Sequence, residues 1–154
     1  MEADSPSPLN ELNIQILRLL EENARRSCRE IAEKLGVATG TVYNRIKKMT
    51  ENGVIRGYTP IIDPSKVGYN LTALVFAQVE GQYLTDVERK IAGLPGVMAV
   101  YDITGEHDVA IVVRSKDRAS LDAFLKDMLK IPHVRRSVTN VVLNVVKEDF
   151  RISL

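Results

Sequence analysis

The 154-residue chain carries 21 Lys and Arg against 20 Asp and Glu, is 45% hydrophobic and 27% charged, and contains one cysteine and no tryptophan. That apolar content, with a net charge of only +1, excludes disorder over the whole chain and suits one ordinary domain or two small ones. The lone Cys28 excludes a disulfide scaffold, no apolar run approaches the roughly 20 residues of a membrane helix, and the opening MEADSPSP resembles no secretory or transit signal. The expected location is therefore the cytoplasm.

Residues 1–8 are expected to form a disordered tail. Asn10 can cap a helix whose apolar residues Leu12, Ile16, Leu17 and Leu20 recur at helical spacing until Glu22-Asn23. Ser27 followed by Glu30 is a capping-box pattern, in which side chain and backbone amides satisfy each other. It opens a second, short helix over Cys28 to Leu35, closed by Gly36. Thr39 can cap a third helix with Val42, Ile46 and Met49 facing inward. Asn44, Lys47 and Lys48 then point outward, with Thr41 and Tyr43 on the flanks. Gly53 ends that helix, and Val54 to Tyr58 with Pro60 to Ile62 reads as a small β-hairpin.

Asp63-Pro64 and Gly68 mark a linker at 61–70. Beyond it, Leu71 to Glu80 alternates as a strand, with Leu71, Ala73, Val75, Ala77 and Val79 on one face. Thr85 and Glu88 can cap a helix carrying Val87, Ile91 and Leu94, which Pro95-Gly96 breaks. Val97 to Thr104 and Val109 to Arg114 form an expected antiparallel hairpin around Gly105-Glu106-His107-Asp108. A helical stripe of Leu121, Phe124, Leu125, Met128 and Leu129 follows, then a long last strand over Val134 to Val146. The fold class is α+β: a winged helix-turn-helix domain over 9–60, followed by a ferredoxin-like βαββαβ domain over 71–154. Two helices cover one face of that sheet. The other face, with Thr72, Leu74 and Phe76, needs a second copy of the chain, so a homo-oligomer with stacked sheets is expected.

Charge follows this division. From Thr39 to Tyr58, Arg45, Lys47, Lys48 and Arg56 oppose only Glu51, a local +3, whereas from Val67 onward 11 basic residues balance 11 acidic ones. The later helix of a helix-turn-helix enters the major groove, and its N-terminal residues reach base edges. That puts Thr39, Gly40, Thr41, Tyr43 and Asn44 nearest the bases. Lys47 and Lys48 suit phosphates, Arg45 a phosphate or an internal partner, and Arg56 on the wing the adjacent backbone. The same module also serves protein contacts elsewhere, and Tyr43 could equally pack internally.

The segment from Leu9 to Tyr69, with its T-V-x-N-R-I-K-K-M run (Thr41 to Met49) and G-V-I-R-G-Y wing (Gly53 to Tyr58), resembles the DNA-binding half of the leucine-responsive regulatory protein/AsnC, or feast/famine, family. The second half, with Gly105-x-x-Asp108, resembles that family's ACT-like amino-acid-metabolism regulatory domain. The resemblance implies a transcription regulator that reads palindromic double-stranded DNA. It implies a homodimer assembling into a tetramer or octamer, with an amino acid or related small molecule bound between subunits. It maps effector contacts onto Gly105, Glu106 and Asp108 and onto the hydroxyls of Ser137 and Thr139. A glycine loop can offer amides to a carboxylate, and Asp108 can accept from an ammonium, although the same four residues also make an ordinary hairpin turn. Asn10 and Asn13 depart from the pattern, standing where the family commonly has aspartates, and His107 hints at a different effector preference.

Catalysis finds little support. Cys28 has no histidine near it in sequence, His107 and His133 lack metal-ligand spacing, and no phosphate-loop or dinucleotide fingerprint occurs. No cofactor or metal is expected. A haem-pathway decarboxylase of related architecture and a metabolite sensor that does not bind DNA are the alternatives.

Overall fold

The computed structural model describes residues 9–152 and 154. It divides into two compact units: the chain up to Pro60 together with Asp149–Leu154, and Ile61–Glu148. The described residues after Glu148 thus group with the first unit. The tail 1–8 lies outside the described residues.

In the first unit, α1 (Glu11–Glu22), α2 (Cys28–Leu35) and α3 (Thr39–Glu51) enclose a core of Ile16, Leu20, Ile31, Ala32, Val42, Met49 and Ile55. Each buried aliphatic side chain of this kind stabilises the fold by about 1.5 to 3 kcal/mol relative to exposure. Asn10 caps α1 by accepting the Asn13 amide at 3.0 Å. The capping box of α2 is formed: Ser27 N donates to Glu30 Oε2 at 2.7 Å and Glu30 N donates back to Ser27 Oγ at 3.2 Å. These Ser27 bonds hold the Glu30 carboxyl below the usual carboxylate range. Gly36, at φ 66°, adopts the left-handed conformation, and Val37 N donates to Ala32 O at 3.1 Å, which closes α2 and sets the tight turn into α3.

Two expectations fail here. Ala38, not Thr39, is the N-cap of α3, and no side chain caps that helix. The α2–α3 turn is so short that Ala38 O already accepts from Thr41 and Val42, which draws Thr39 into the first turn. The wing is not a hairpin: residues 54–62 form no β-ladder, and Ile55 is tied to α3 through its amide and Met49 O. Pro60 offers no amide to a ladder, and a lone two-stranded ribbon is marginal.

The second unit orders β1 (Leu71–Val79), α4 (Leu84–Ala92), β2 (Val97–Asp102), β3 (Val109–Ser115), α5 (Arg118–Leu129) and β4 (Val134–Val141) into an antiparallel sheet β2-β3-β1-β4. This is the expected βαββαβ arrangement. Ala73, Val75, Ala77 and Val79 of β1 pack with Val109, Ile111 and Val113 of β3 against Val87 and Ile91 of α4 and Leu121, Phe124 and Met128 of α5. Leu129, the last residue of the α5 stripe, is exposed. Across the sheet, Thr72, Leu74 and Phe76 pair with Arg114, Val112 and Ala110, which places them together on the face opposite the helices.

α4 starts from a 3₁₀ turn over Gly81–Tyr83 with Tyr83 as N-cap, so Thr85 falls inside the first turn and caps nothing. β4 ends at Val141, short of the expected Val146. Ala73 pairs with Val141, Val142 N reaches Thr72 O at 2.9 Å, and β1 begins at Leu71, so the last strand has no partner left.

Candidate nucleic-acid interface and effector loop

The outward face of α3 carries Tyr43, Asn44, Lys47 and Lys48, all exposed, with Thr39 and Gly40 exposed at its start and Thr41 half-buried. Tyr43 is 58% exposed, so it does not pack into this unit. Thirteen helical residues span about 20 Å at 1.5 Å each, and a major groove about 12 Å wide admits such a rod. Gly40 has nothing within 4 Å of where a Cβ would stand. Nothing inside the protein therefore requires glycine there, although glycine weakens a helix. A small residue at this point suits close approach by a body outside the chain. The first turn has no acidic residue and no side-chain cap, so the positive end of the helix is uncompensated locally.

The cations of the region are not equivalent. Lys47 stands 3.9 Å from Glu51, a loose exposed pair, while Arg56 is exposed on the segment after α3. Arg45 is half-buried and turns toward α1, where its Nη1 donates to Asn10 and Asn13. Two of the arginines before α3 are otherwise engaged: Arg26 with Glu22 and Leu19 O, and Arg29 with Glu33. The internal partner expected for Arg45 as one of two alternatives is present, but the sequence did not identify Asn10 and Asn13 as that partner, because they lie more than thirty positions away in the chain.

In the second unit, Gly105 sits at φ 122°, where only glycine is comfortable, and opens the loop before β3. Asp108 knits that loop to β1. Its N donates to Ala77 O at 3.0 Å, its Oδ2 accepts Val79 N at 2.8 Å, and its carbonyl accepts Ile103 N at 2.9 Å. Gln78 Nε2 donates to the carbonyl of exposed Glu106 at 2.9 Å, and the His107 ring leans on Phe76 with centroids 5.7 Å apart. Gln78 and Phe76 thus fix the loop; Gln78 was missed from sequence, and Phe76 was placed on the open face without its contact to the loop. The alternation that put Ala77 and Val79 inward and Phe76 outward could also have pointed to Gln78 as an outward residue.

Ser137 and Thr139 of β4 are half-buried and stand opposite Ala77 and Val75. Cross-strand partners share a side of the sheet, so these hydroxyls belong to the helix-covered side. Gln78 and Phe76, on the other side, pair with Arg136 and Val138. Within one chain Ser137 therefore lies toward the loop's end of the sheet and Thr139 level with the middle of β1, both on the face opposite Gln78 and Phe76. Close by, His133 at φ 75° stacks on Tyr83 at 3.5 Å between centroids and lies 3.3 Å from Glu80 Oε2. Among the described residues no cluster of three or more His, Cys, Asp or Glu could hold a metal, and no helix is long and apolar enough to cross a membrane.

Comparison with known proteins adds to this geometry. Residues 9–56 match the family model "Winged helix-turn-helix DNA-binding", and residues 72–152 match "Lrp/AsnC ligand binding domain". An uncharacterized HTH-type transcriptional regulator of Pyrococcus abyssi is 45% identical over 144 residues, covering 94% of this chain and 98% of that protein. The crystal structure of an AsnC family transcriptional regulator from Agrobacterium tumefaciens is 28% identical, with a TM-score of 0.85 over 94% of this chain and 96% of that one. A transcriptional regulator from Neisseria meningitidis, solved as its L-Met complex, shares the fold at 24% identity and a TM-score of 0.84, over 94% of this chain and 96% of that one.

Proposed function

This chain belongs to the Lrp/AsnC family of transcriptional regulators, a winged helix-turn-helix DNA-binding domain joined to a ligand-binding domain, and from that membership we propose how its own residues divide the work. α3 lies in the major groove of a palindromic duplex. Thr39, Gly40, Thr41, Tyr43 and Asn44 approach base edges, Asn44 being able to pair bidentately with adenine. Lys47, Lys48 and Arg56 neutralise phosphates, which sets affinity and register without reading sequence. The single observation that carries this reading is the face of α3: exposed, polar and basic, with a glycine that the protein's own packing does not need.

The open face of the sheet, with half-exposed Leu74 beside Thr72 and Phe76, supports a homodimer made by stacking two sheets, extended to a tetramer or octamer. A dimer presents two α3 helices to half-sites one helical turn, about 34 to 36 Å, or a multiple apart. The effector is an amino acid or related metabolite bound between subunits. Gly105, Glu106 and Asp108 supply the loop contacts, and the hydroxyls of Ser137 and Thr139 on β4 supply further ones. The L-Met held by the Neisseria protein of the same fold supports that class of ligand. Such a ligand regulates only if it binds two assembly states with different affinity.

The test is a salt titration of duplex binding with the full chain and its Lys47→Ala/Lys48→Ala variant. The slope of log K against log salt is expected to shrink by up to about 1.8, at about 0.9 for each phosphate no longer neutralised. An unchanged affinity and slope would remove both lysines from the interface.

A further inference from the structure

Arg45 Nη1 donates to Asn10 Oδ1 at 3.0 Å and to Asn13 Oδ1 at 2.9 Å. Asn10 is the N-cap of α1, and Asn13 is its third residue. Both positions lie at a helix start, where the positive end of the helix dipole favours a carboxylate. Both also face a guanidinium, for which a carboxylate is the stronger acceptor. The helix dipole and the guanidinium thus each favour a carboxylate, and the chain has a neutral amide at each place.

The consequence is electrostatic. Among the described residues Arg26, Arg29 and Arg114 are each paired with a glutamate, whereas no ion pair forms at Arg45. Glu11, the acidic residue in the first turn of α1, takes Gln15 Nε2 at 3.2 Å instead. Arg45 is therefore held in place with its charge intact. The two bonds use both hydrogens of Nη1 and leave the Nε and Nη2 donors, the pair that can grip a phosphate in bidentate fashion. Lys48 lies three residues further along α3, so it and Arg45 are surface neighbours on one stripe.

We propose that Asn10 and Asn13 are positioning residues for DNA binding: they orient the Arg45 guanidinium toward a backbone phosphate of the bound duplex without neutralising it. The start of α1 thereby joins the interface that α3 forms. This rests on the reading of α3 as the DNA-binding face. Two amides in place of carboxylates keep the cap and preserve one full positive charge at the interface.

The experiment compares the full-length chain with Asn10→Asp/Asn13→Asp, Arg45→Gln and Lys47→Ala/Lys48→Ala, titrating a labelled duplex of several helical turns against salt. Hydrogen exchange of the α1 amides is followed in parallel. The double aspartate variant is expected to keep or raise α1 protection, yet to bind on the order of tenfold more weakly at low salt. Its salt slope is expected to shrink by about 0.9, matching Arg45→Gln. Wild-type affinity and slope in the double aspartate variant, with the lysine variant weakened, overturns the inference and leaves the α3 reading standing. Loss of α1 protection together with binding also overturns it, since the amides would then be needed only for folding. Failure of the wild type to bind duplex removes the α3 reading and this inference together.

Discussion

Asp108 ties the loop before β3 to the sheet, and removing its side chain separates a structural role from the proposed ligand-binding one. Its Oδ2 accepts the amide of Val79 at 2.8 Å, and Val79 is 6% exposed. A β-bulge between Gln78 and Val79 interrupts the β1–β4 ladder at this point, which leaves that amide to the side chain. Asp108→Ala strands a buried N–H, at a cost of about 1 to 3 kcal/mol. With a urea dependence of about 1 to 3 kcal/mol per molar, the midpoint should fall by about 1 M. Asp108→Asn keeps an acceptor in place and should recover most of the loss. Urea unfolding followed by far-ultraviolet circular dichroism distinguishes them. An alanine variant as stable as wild type, or an asparagine variant no better than alanine, would refute the assigned bond. The response to an amino acid must then be judged on Asp108→Asn, which removes the charge offered to an ammonium while sparing the fold. Full response in that variant excludes the charge from recognition.

Other outcomes follow from the same structure. Gly96→Ala places a Cβ 2.4 Å from the Arg114 carbonyl at φ 82°, where the Gly96 carbonyl also accepts Arg114 N at 2.8 Å. A loss of about 3 kcal/mol or more is expected in thermal melts, and wild-type stability would contradict the close approach of β2 to β3. The Glu88 carboxyl is pushed up, first by burial and then by Asp102, and its Oε1 has no hydrogen-bond partner. A raised folded-state value means that the ionised form destabilises the fold. Glu88→Gln should therefore be more stable than wild type at pH 7, by a small margin because the carboxyl is only partly buried. That gain should fade as pH falls through the folded-state value toward the unfolded one. A pH-independent difference would contradict the assigned cause. Thr41→Ala or Asn44→Ala should change site preference by about 1 to 3 kcal/mol for each bidentate pairing removed, read from the spectrum of selected duplexes, and an unaltered spectrum would exclude them from base reading.

Legibility in the sequence tracked the range of the interactions involved. The Ser27–Glu30 box, Gly36, and the alternation from Leu71 to Val79 are local patterns with local causes, and the structure carries each of them. Thr39 and Thr85 looked like caps because the residue type was right. The tight turn after Gly36 and the 3₁₀ turn before Leu84 moved each helix start, and a single-residue motif does not register that shift. Val142 to Val146 has strand composition, yet β4 can only run as far as β1 accompanies it. The candidate site divides the same way. The exposed stripe on α3 follows from helical periodicity, whereas the hold of Asn10 and Asn13 on Arg45 and the placing of Ser137 and Thr139 on the helix side depend on tertiary contacts and sheet register.

The most direct measurement is selection of bound duplexes from a random pool by the full-length protein, repeated in the presence of each proteinogenic amino acid. Enrichment of inverted repeats whose half-sites lie about 10 to 10.5 base pairs apart, or a multiple of that spacing, is expected. At least one amino acid should alter the yield or the spacing recovered. A pool that emerges unenriched under every condition would contradict the assignment of α3 as a DNA-reading helix.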